Sequence, residues 1–177
     1  EMCIRDRYHA VVDNVFTTPI FSNALSLGAD VVVYSATKHI DGQGRTLGGV
    51  ILGSGDYIRN TVEPFMKHTG GSMSPFTGWV LLKGLETLDL RVQAQSDSAM
   101  EIAKSLIGHE SISSVIYPGL ETHPQYDLCR EQMEKGGTVI AFELPGGKEA
   151  AFSLMNSLKL VLISNNLGDA KSNYNPS

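Results

Sequence analysis

The chain has 177 residues, 42% of them hydrophobic and 19% charged, enough for one full domain or for one domain and part of another. Its formal net charge of −5 leaves no excess of lysine and arginine to neutralise phosphates, which argues against a general nucleic-acid binder. No apolar run approaches the roughly 18 to 20 residues that cross a bilayer, and residues 1–7 alternate charges without the apolar centre of a secretory leader.

Residues 10–16 (AVVDNVF) are β-branched and apolar around one acid, the pattern of a buried strand running into a polar turn. A loop through Thr17, Thr18 and Pro19 follows, then a short helix over 22–27 that Gly28 closes. The run 30–35 (DVVVYS) has the continuous apolarity of a strand covered on both faces. Strand, short crossover and strand suggest parallel neighbours with a right-handed connection. Residues 48–52 read as a further strand after a glycine-rich turn. From Ser74-Pro75, a helix-start signal, apolar residues recur at three-and-four spacing through Trp79, Leu82, Leu85 and Leu88, predicting a helix over 76–91 that resumes over 94–107. Strands are expected at 113–117, 138–144 and 160–164, with an amphipathic helix over 148–158. The first part is thus an α/β unit with parallel strands and the second a smaller α+β unit, divided near residue 95.

Cys3 and Cys129 form neither a disulfide framework nor a metal spacing, so a reducing, cytoplasmic setting is expected. The histidines at 9, 39, 68, 109 and 123 are scattered, without the helical or hairpin spacing of a zinc site; no metal is expected.

Two residues stand out once the strands are placed. Asp13 ends the first strand, and Lys38 lies just past the end of the next. Ligands of open parallel sheets bind outside the carboxyl ends of the strands, so both side chains can face one crevice. A lysine can form a Schiff base with an aldehyde cofactor, and a carboxylate can keep a pyridine nitrogen protonated. Ser35 and Thr37 offer short hydroxyls and nearby backbone N–H groups for a phosphate. Glycines at 42, 44, 48 and 49 let the chain turn sharply beside such a group. Each piece has a plainer reading. An Asp ending a strand is ordinarily a turn residue, and a lone Lys is ordinarily solvated. The stretch 41–49 lacks the Gly-Lys-Ser/Thr ending of a nucleotide P-loop. Spacing alone gives a soluble α/β domain. Asp30, Glu63, Glu86, Asp89 and Arg91 read as helix-face or capping charges. Arg45 follows Lys38 closely enough that its loop could carry function.

Val12-Asp13-Asn14, followed by Tyr34-Ser35-Ala36-Thr37-Lys38-His39, resembles the cofactor-binding core of the transsulfuration (Cys/Met metabolism) pyridoxal-phosphate enzymes. Gly48-Gly49, Ser74-Pro75-Phe76, Leu82-Lys83-Gly84-Leu85-Glu86-Thr87-Leu88 with Arg91, Tyr117-Pro118-Gly119-Leu120, His123-Pro124 and Gly136-Gly137 continue the likeness in the expected order. It runs from about His9 to Ser172. Within the family, Asp41-Gly42-Gln43-Gly44-Arg45 and Asn165-Asn166-Leu167-Gly168-Asp169-Ala170-Lys171-Ser172 look most like the O-succinylhomoserine sulfhydrylase subgroup, other members commonly carrying Ser where Asn166 stands.

The resemblance implies a fold-type I, aspartate-aminotransferase-like α/β fold. Residues 8–95 would be the later part of a large domain with a mostly parallel sheet, and 96–177 part of the small α+β C-terminal domain. It implies pyridoxal 5'-phosphate as cofactor, held by Lys38 as the catalytic amine, Asp13 at the ring nitrogen, and Ser35 and Thr37 at the phosphate. Asn166 would lie near the substrate carboxylate. The implied reaction is γ-replacement on an O-acylhomoserine, giving homocysteine with sulfide, in a cytoplasmic homotetramer whose active sites are shared between subunits. The family's rival outcomes are cystathionine γ-synthesis and γ-elimination, and a rival of another class is a non-catalytic scaffold. The family's chain is about twice this length, so the sequence reads as a fragment. Residues 1–7 and 173–177 read as foreign to the family pattern.

Overall fold

A computed structural model describes residues 9–174; residues 1–8 and 175–177, and with them most of the ends that read as foreign, lie outside the described residues. Strand β1 (Val11–Asp13) pairs parallel with β2 (Val31–Ser35), Val11 opposite Val31 and Asp13 opposite Val33. The link contains a short helix, α1 (Thr18–Phe21). It lies earlier than the 22–27 expected, because Pro19 in a first helical turn forfeits no hydrogen bond. Strand β3 (Gly49–Gly53) then pairs antiparallel with β2, Ser35 opposite Gly49 and Val31 opposite Gly53. The parallel pairing expected of the first two strands therefore holds, and the third strand, whose direction the residue pattern did not give, returns antiparallel. A parallel return needs a crossover of a dozen or more residues, usually helical. Here a five-residue π-turn (Ala36–Ile40) and a glycine-rich loop fold the chain back on itself.

Alternation sets the faces of this sheet. Val12, Val32, Tyr34 and Val50 share one face and pack with Ala24, Ala36, Ile40 and Leu81 as the first core cluster. Asp13, Val33 and Ser35 share the opposite face.

After β3 come α2 (Gly55–Tyr57), a π-segment (Ile58–Val62) and α3 (Glu63–Thr69), which the residue pattern did not predict. Helix α4 (Pro75–Leu85) starts at Ser74, whose Oγ accepts from the Thr77 N–H at 3.1 Å. The long helix expected over 76–91 breaks at Glu86 and Thr87, and α5 (Leu88–Leu106) continues. The buried residues of α4 are Val80, Leu81 and Gly84, whereas Trp79, Leu82 and Leu85 of the predicted stripe are exposed. The helix is apolar on more than one side, so periodicity alone could not choose its inward face. Gly84 explains the choice. A Cβ there would lie 2.1 Å from the Ile40 carbonyl oxygen, so only glycine lets α4 reach the turn after β2.

The segment after α5 packs back on it through Tyr117 and Leu120. Strand β4 (Ser114–Ile116) pairs antiparallel with β5 (Ala141–Glu143), and Tyr117, Leu120, Ala99 and Ala103 form a second buried cluster. In chain order α6 (Tyr126–Gln132) lies between β4 and β5 and α7 (Gly147–Ser157) follows β5, and β6 (Leu162–Ile163) pairs parallel with β7 (Asn173–Tyr174). No helix among the described residues is long and apolar enough to cross a membrane.

The glycine contact at α4 yields a contrast. Gly84→Ala should destabilise the protein by about 2 kcal/mol or more, from backbone displacement in a packed site. Gly55→Ala, whose Cβ would meet nothing within 4 Å, should be neutral or slightly stabilising. Denaturant midpoints of the two variants check this; equal midpoints would contradict the packing described.

Candidate active site

Lys38 lies in the π-turn that leaves β2, where its backbone departs from helical geometry (φ −86°, ψ −120°). Its Nζ donates to Asn166 Oδ1 at 3.0 Å, joining residues 128 positions apart. No acidic side chain pairs with this amine among the described residues. The loop bearing Asn166 is docked on the Lys38 turn at two further points and on α5 at a third. The Ala170 N–H donates to the Gly42 carbonyl at 2.8 Å. Gln95 Nε2 donates to the Asp169 carbonyl at 3.0 Å. Gly168, at φ +73°, lies so close to His39 that a Cβ would stand 2.6 Å from the imidazole Cγ. Any side chain at 168 would be both strained and blocked.

Asp13 is exposed at the end of β1, with Oδ1 accepting from the Val15 N–H at 3.1 Å. Its other carboxylate oxygen and the Ser35 hydroxyl have no protein partner among the described residues. Thr37 Oγ1 accepts from the Gly48 N–H at 3.1 Å and reaches the Gly48 carbonyl only at 3.5 Å, so its proton stays available to a better acceptor. Asp13 and Ser35 thus share a sheet face, Thr37 and Lys38 follow directly from that face's strand, and Asn166 arrives from the far end of the chain. Asp13 makes no ion pair with Lys38. An amine and a carboxylate left unpaired, together with free hydroxyls at a strand end, make a donor set that fits pyridoxal phosphate. The amine suits the aldehyde, the carboxylate the ring nitrogen and the hydroxyls the phosphate.

Arg45 makes no hydrogen bond with Lys38 among the described residues. Its Nε donates to Asp41 Oδ1 at 2.9 Å and its backbone N–H to Oδ2 at 2.6 Å, making it the partner of a carboxylate that is itself buried. Its role is to satisfy that buried charge.

The residue pattern missed His39 and Arg91. His39 is 2% exposed, and its Nε2 meets Thr138 Oγ1 at 2.8 Å. Burial first, and then the Arg91 guanidinium, lower its pKa to about 4 against an opposing backbone interaction with Val15. The ring is therefore neutral near pH 7. Arg91, expected as a helix-face or capping charge, instead turns inward to the carbonyls of His39, Ile40 and Gly84. Burial lowers its pKa, nearby Arg45 adds to this, and Asp41 opposes it. Nothing local in the sequence separates such an arginine from a solvated one, because two of its three carbonyl acceptors come from 51 and 52 positions away. Among the described residues no group of three His, Cys, Asp or Glu side chains is placed to hold a metal ion.

The family model described as "Cys/Met metabolism PLP-dependent enzyme" matches residues 2–175. That span is wider than the likeness read from His9 to Ser172. An O-succinylhomoserine sulfhydrylase from Mycobacterium tuberculosis is 56% identical over 166 residues, 92% of this chain and 41% of that protein. One from Pseudomonas aeruginosa is 47% identical over 160 residues, 90% of this chain and 40% of that protein. The crystal structure of cystathionine gamma synthase from Xanthomonas oryzae pv. oryzae, in complex with aminoacrylate and cysteine, matches with a TM-score of 0.88 at 34% identity. It covers 91% of this chain and 42% of that one. The chain spans about two-fifths of the length of these relatives and has the expected fold-type I α/β class as a partial copy.

The buried imidazole carries a pH signature. Its folded pKa of about 4 lies below the ordinary 6.5, so the unfolded chain takes up a proton that the folded one refuses. Its contribution to stability is complete above pH 6.5 and falls as pH drops toward 4, by about 3 kcal/mol in all. Denaturation midpoints across that range should show this loss, and His39→Gln should flatten it; an unchanged slope in the variant would assign the loss elsewhere.

Proposed function

The chain belongs to the Cys/Met metabolism PLP-dependent enzymes, and from that premise we propose that the whole protein carrying it replaces the γ-substituent of O-succinylhomoserine with sulfide to give homocysteine. The observation that supports this most is the 3.0 Å hydrogen bond from Lys38 Nζ to Asn166 Oδ1. It sets beside the amine a side chain able to donate as well as accept, at a position where many family members resemble one another in carrying serine instead.

Bound pyridoxal phosphate supplies an electron-withdrawing ring that makes hydrogens of an attached amino acid removable. Lys38 would hold the cofactor's aldehyde, and its free amine would carry protons between substrate carbons. The Asp13 carboxylate keeps the ring nitrogen protonated. The Ser35 hydroxyl and the loosely engaged Thr37 hydroxyl bind the phosphate. Asn166 orients Nζ through its amide oxygen and offers its amide N–H groups to the substrate carboxylate. In the balance of the reaction, the Cγ–O bond breaks with its electron pair passing to succinate. A Cγ–S bond forms from sulfide, with no net oxidation.

In this reading residues 8–95 belong to the large cofactor-binding domain and 96–177 to the small one, with the division inside α5. The whole protein is a cytoplasmic homotetramer whose active sites are shared between subunits.

The purified whole protein, loaded with pyridoxal phosphate and given O-succinylhomoserine and sulfide, should release homocysteine and succinate. It should do so faster than it releases homocysteine from O-acetylhomoserine. Release of an α-keto acid and ammonia without homocysteine would replace this reading with γ-elimination. Lys38→Ala should abolish both the cofactor's visible absorbance on the protein and turnover; full activity in that variant would remove Lys38 from the reaction. Asn166→Ser should lower kcat/KM by about tenfold, the loss expected from one hydrogen bond to a charged group. Steady-state kinetics would measure it, and an unchanged kcat/KM would remove Asn166 from substrate binding.

A further inference from the structure

The turn that carries Lys38 leaves backbone acceptors in need of donors. The Asp41 N–H closes on the Ala36 carbonyl at 2.8 Å and the Gly42 N–H on the Lys38 carbonyl at 2.8 Å. The next carbonyls, those of His39 and Ile40, fall beyond the reach of the turn's own N–H groups. Both residues are buried, at 2% and 6% exposure, so water cannot take the place of a protein donor.

Arg91, in the first turn of α5, supplies the donors. Its Nη1 donates to the His39 carbonyl at 2.9 Å, and its Nη2 to the Gly84 carbonyl at 2.8 Å and the Ile40 carbonyl at 3.4 Å. Its Nε donates to Thr87 Oγ1 at 3.1 Å, which anchors the guanidinium plane. One planar cation therefore joins the Lys38 turn, the end of α4 and the start of α5. Room for it is made by Gly42, where a Cβ would lie 2.1 Å from Nη1. The backbone that Arg91 holds also carries the Asn166 loop, through the Ala170 bond to the Gly42 carbonyl and the seating of Gly168 on His39.

We infer that Arg91 is a positioning residue for the reactive amine: by holding the His39 and Ile40 carbonyls it sets the direction in which Lys38 leaves the turn and keeps Asn166 opposite it. The inference rests on the proposed role of Lys38 and adds a residue that touches neither cofactor nor substrate. The fork geometry matters, because an ammonium has no rigid plane with which to serve carbonyls on two elements at once.

The test uses the whole protein and three variants, Arg91→Met, Arg91→Lys and Thr87→Val. One readout is the rate at which the apo-protein attaches pyridoxal phosphate to Lys38, trapped with borohydride and located by peptide mass. The other is the split between kcat and KM. Arg91→Met should slow attachment and lower kcat by about tenfold or more while KM moves less than about threefold, the mark of misplaced chemistry rather than lost binding. Arg91→Lys should fall between. Thr87→Val, which removes one anchor and no carbonyl contact, should show a smaller loss in the same direction. An attachment rate and kcat that match the unaltered protein in Arg91→Met would overturn the inference, even with a lowered denaturation midpoint. Should Arg91→Met not fold, unchanged attachment in both Arg91→Lys and Thr87→Val would overturn it equally. Attachment in the unaltered protein at a lysine other than Lys38 would end the proposed function and this inference together. Attachment at Lys38 that is indifferent to Arg91 would end the inference alone.

Discussion

A buried backbone carbonyl must find a donor, and that requirement organises the region around Lys38. When the chain leaves β2 it makes a single π-turn and reverses, so the carbonyls of His39 and Ile40 point away from any helical continuation. The donors come from a side chain on α5, which means that α5 must begin beside the turn. This in turn requires the preceding helix to stop at Leu85 and to present a glycine where it meets the Ile40 carbonyl. The break between α4 and α5 is therefore tied to the turn that carries the amine.

A second consequence is electrostatic. The region holds two arginines, Arg45 and Arg91, close enough to influence each other, and one buried carboxylate, Asp41. Arg45 is committed to Asp41, and Arg91 to neutral carbonyls. Lys38 is left with an amide as its partner, and Asp13 with a single backbone N–H. In the proposed reading, the groups that would meet the cofactor are thus kept apart from the groups that neutralise one another locally. His39, neutral and wedged between Thr138 and Gly168, adds shape without adding charge.

The share of the relatives' length that this chain spans gives the arrangement its context. Within two-fifths of the length of such a protein the late asparagine loop meets the lysine turn, and the strand-end acid stands on the strand paired with the one that leads into that turn. The face that bears Asp13 and Ser35 lies opposite the face packed on the core cluster, so its chemistry is directed away from that core.

The sequence by itself determined the parts whose signal is local. The apolar run of β2, the Ser74-Pro75 start of α4 and the succession of motifs around Asp13, Lys38 and Asn166 could each be read from neighbouring residues, because propensity, capping and motif spacing act over a few positions. Only the tertiary structure decided the direction of β3, the inward face of α4, the break at Glu86 and the roles of Arg91 and His39. Each of these depends on a partner outside its own local segment. A strand's direction is set by how its connection returns, a doubly apolar helix is oriented by what it packs on, and an arginine becomes structural only where buried carbonyls await a donor. The Lys38–Asn166 contact belongs to both: its residues were legible in the sequence, and their meeting across 128 positions was not.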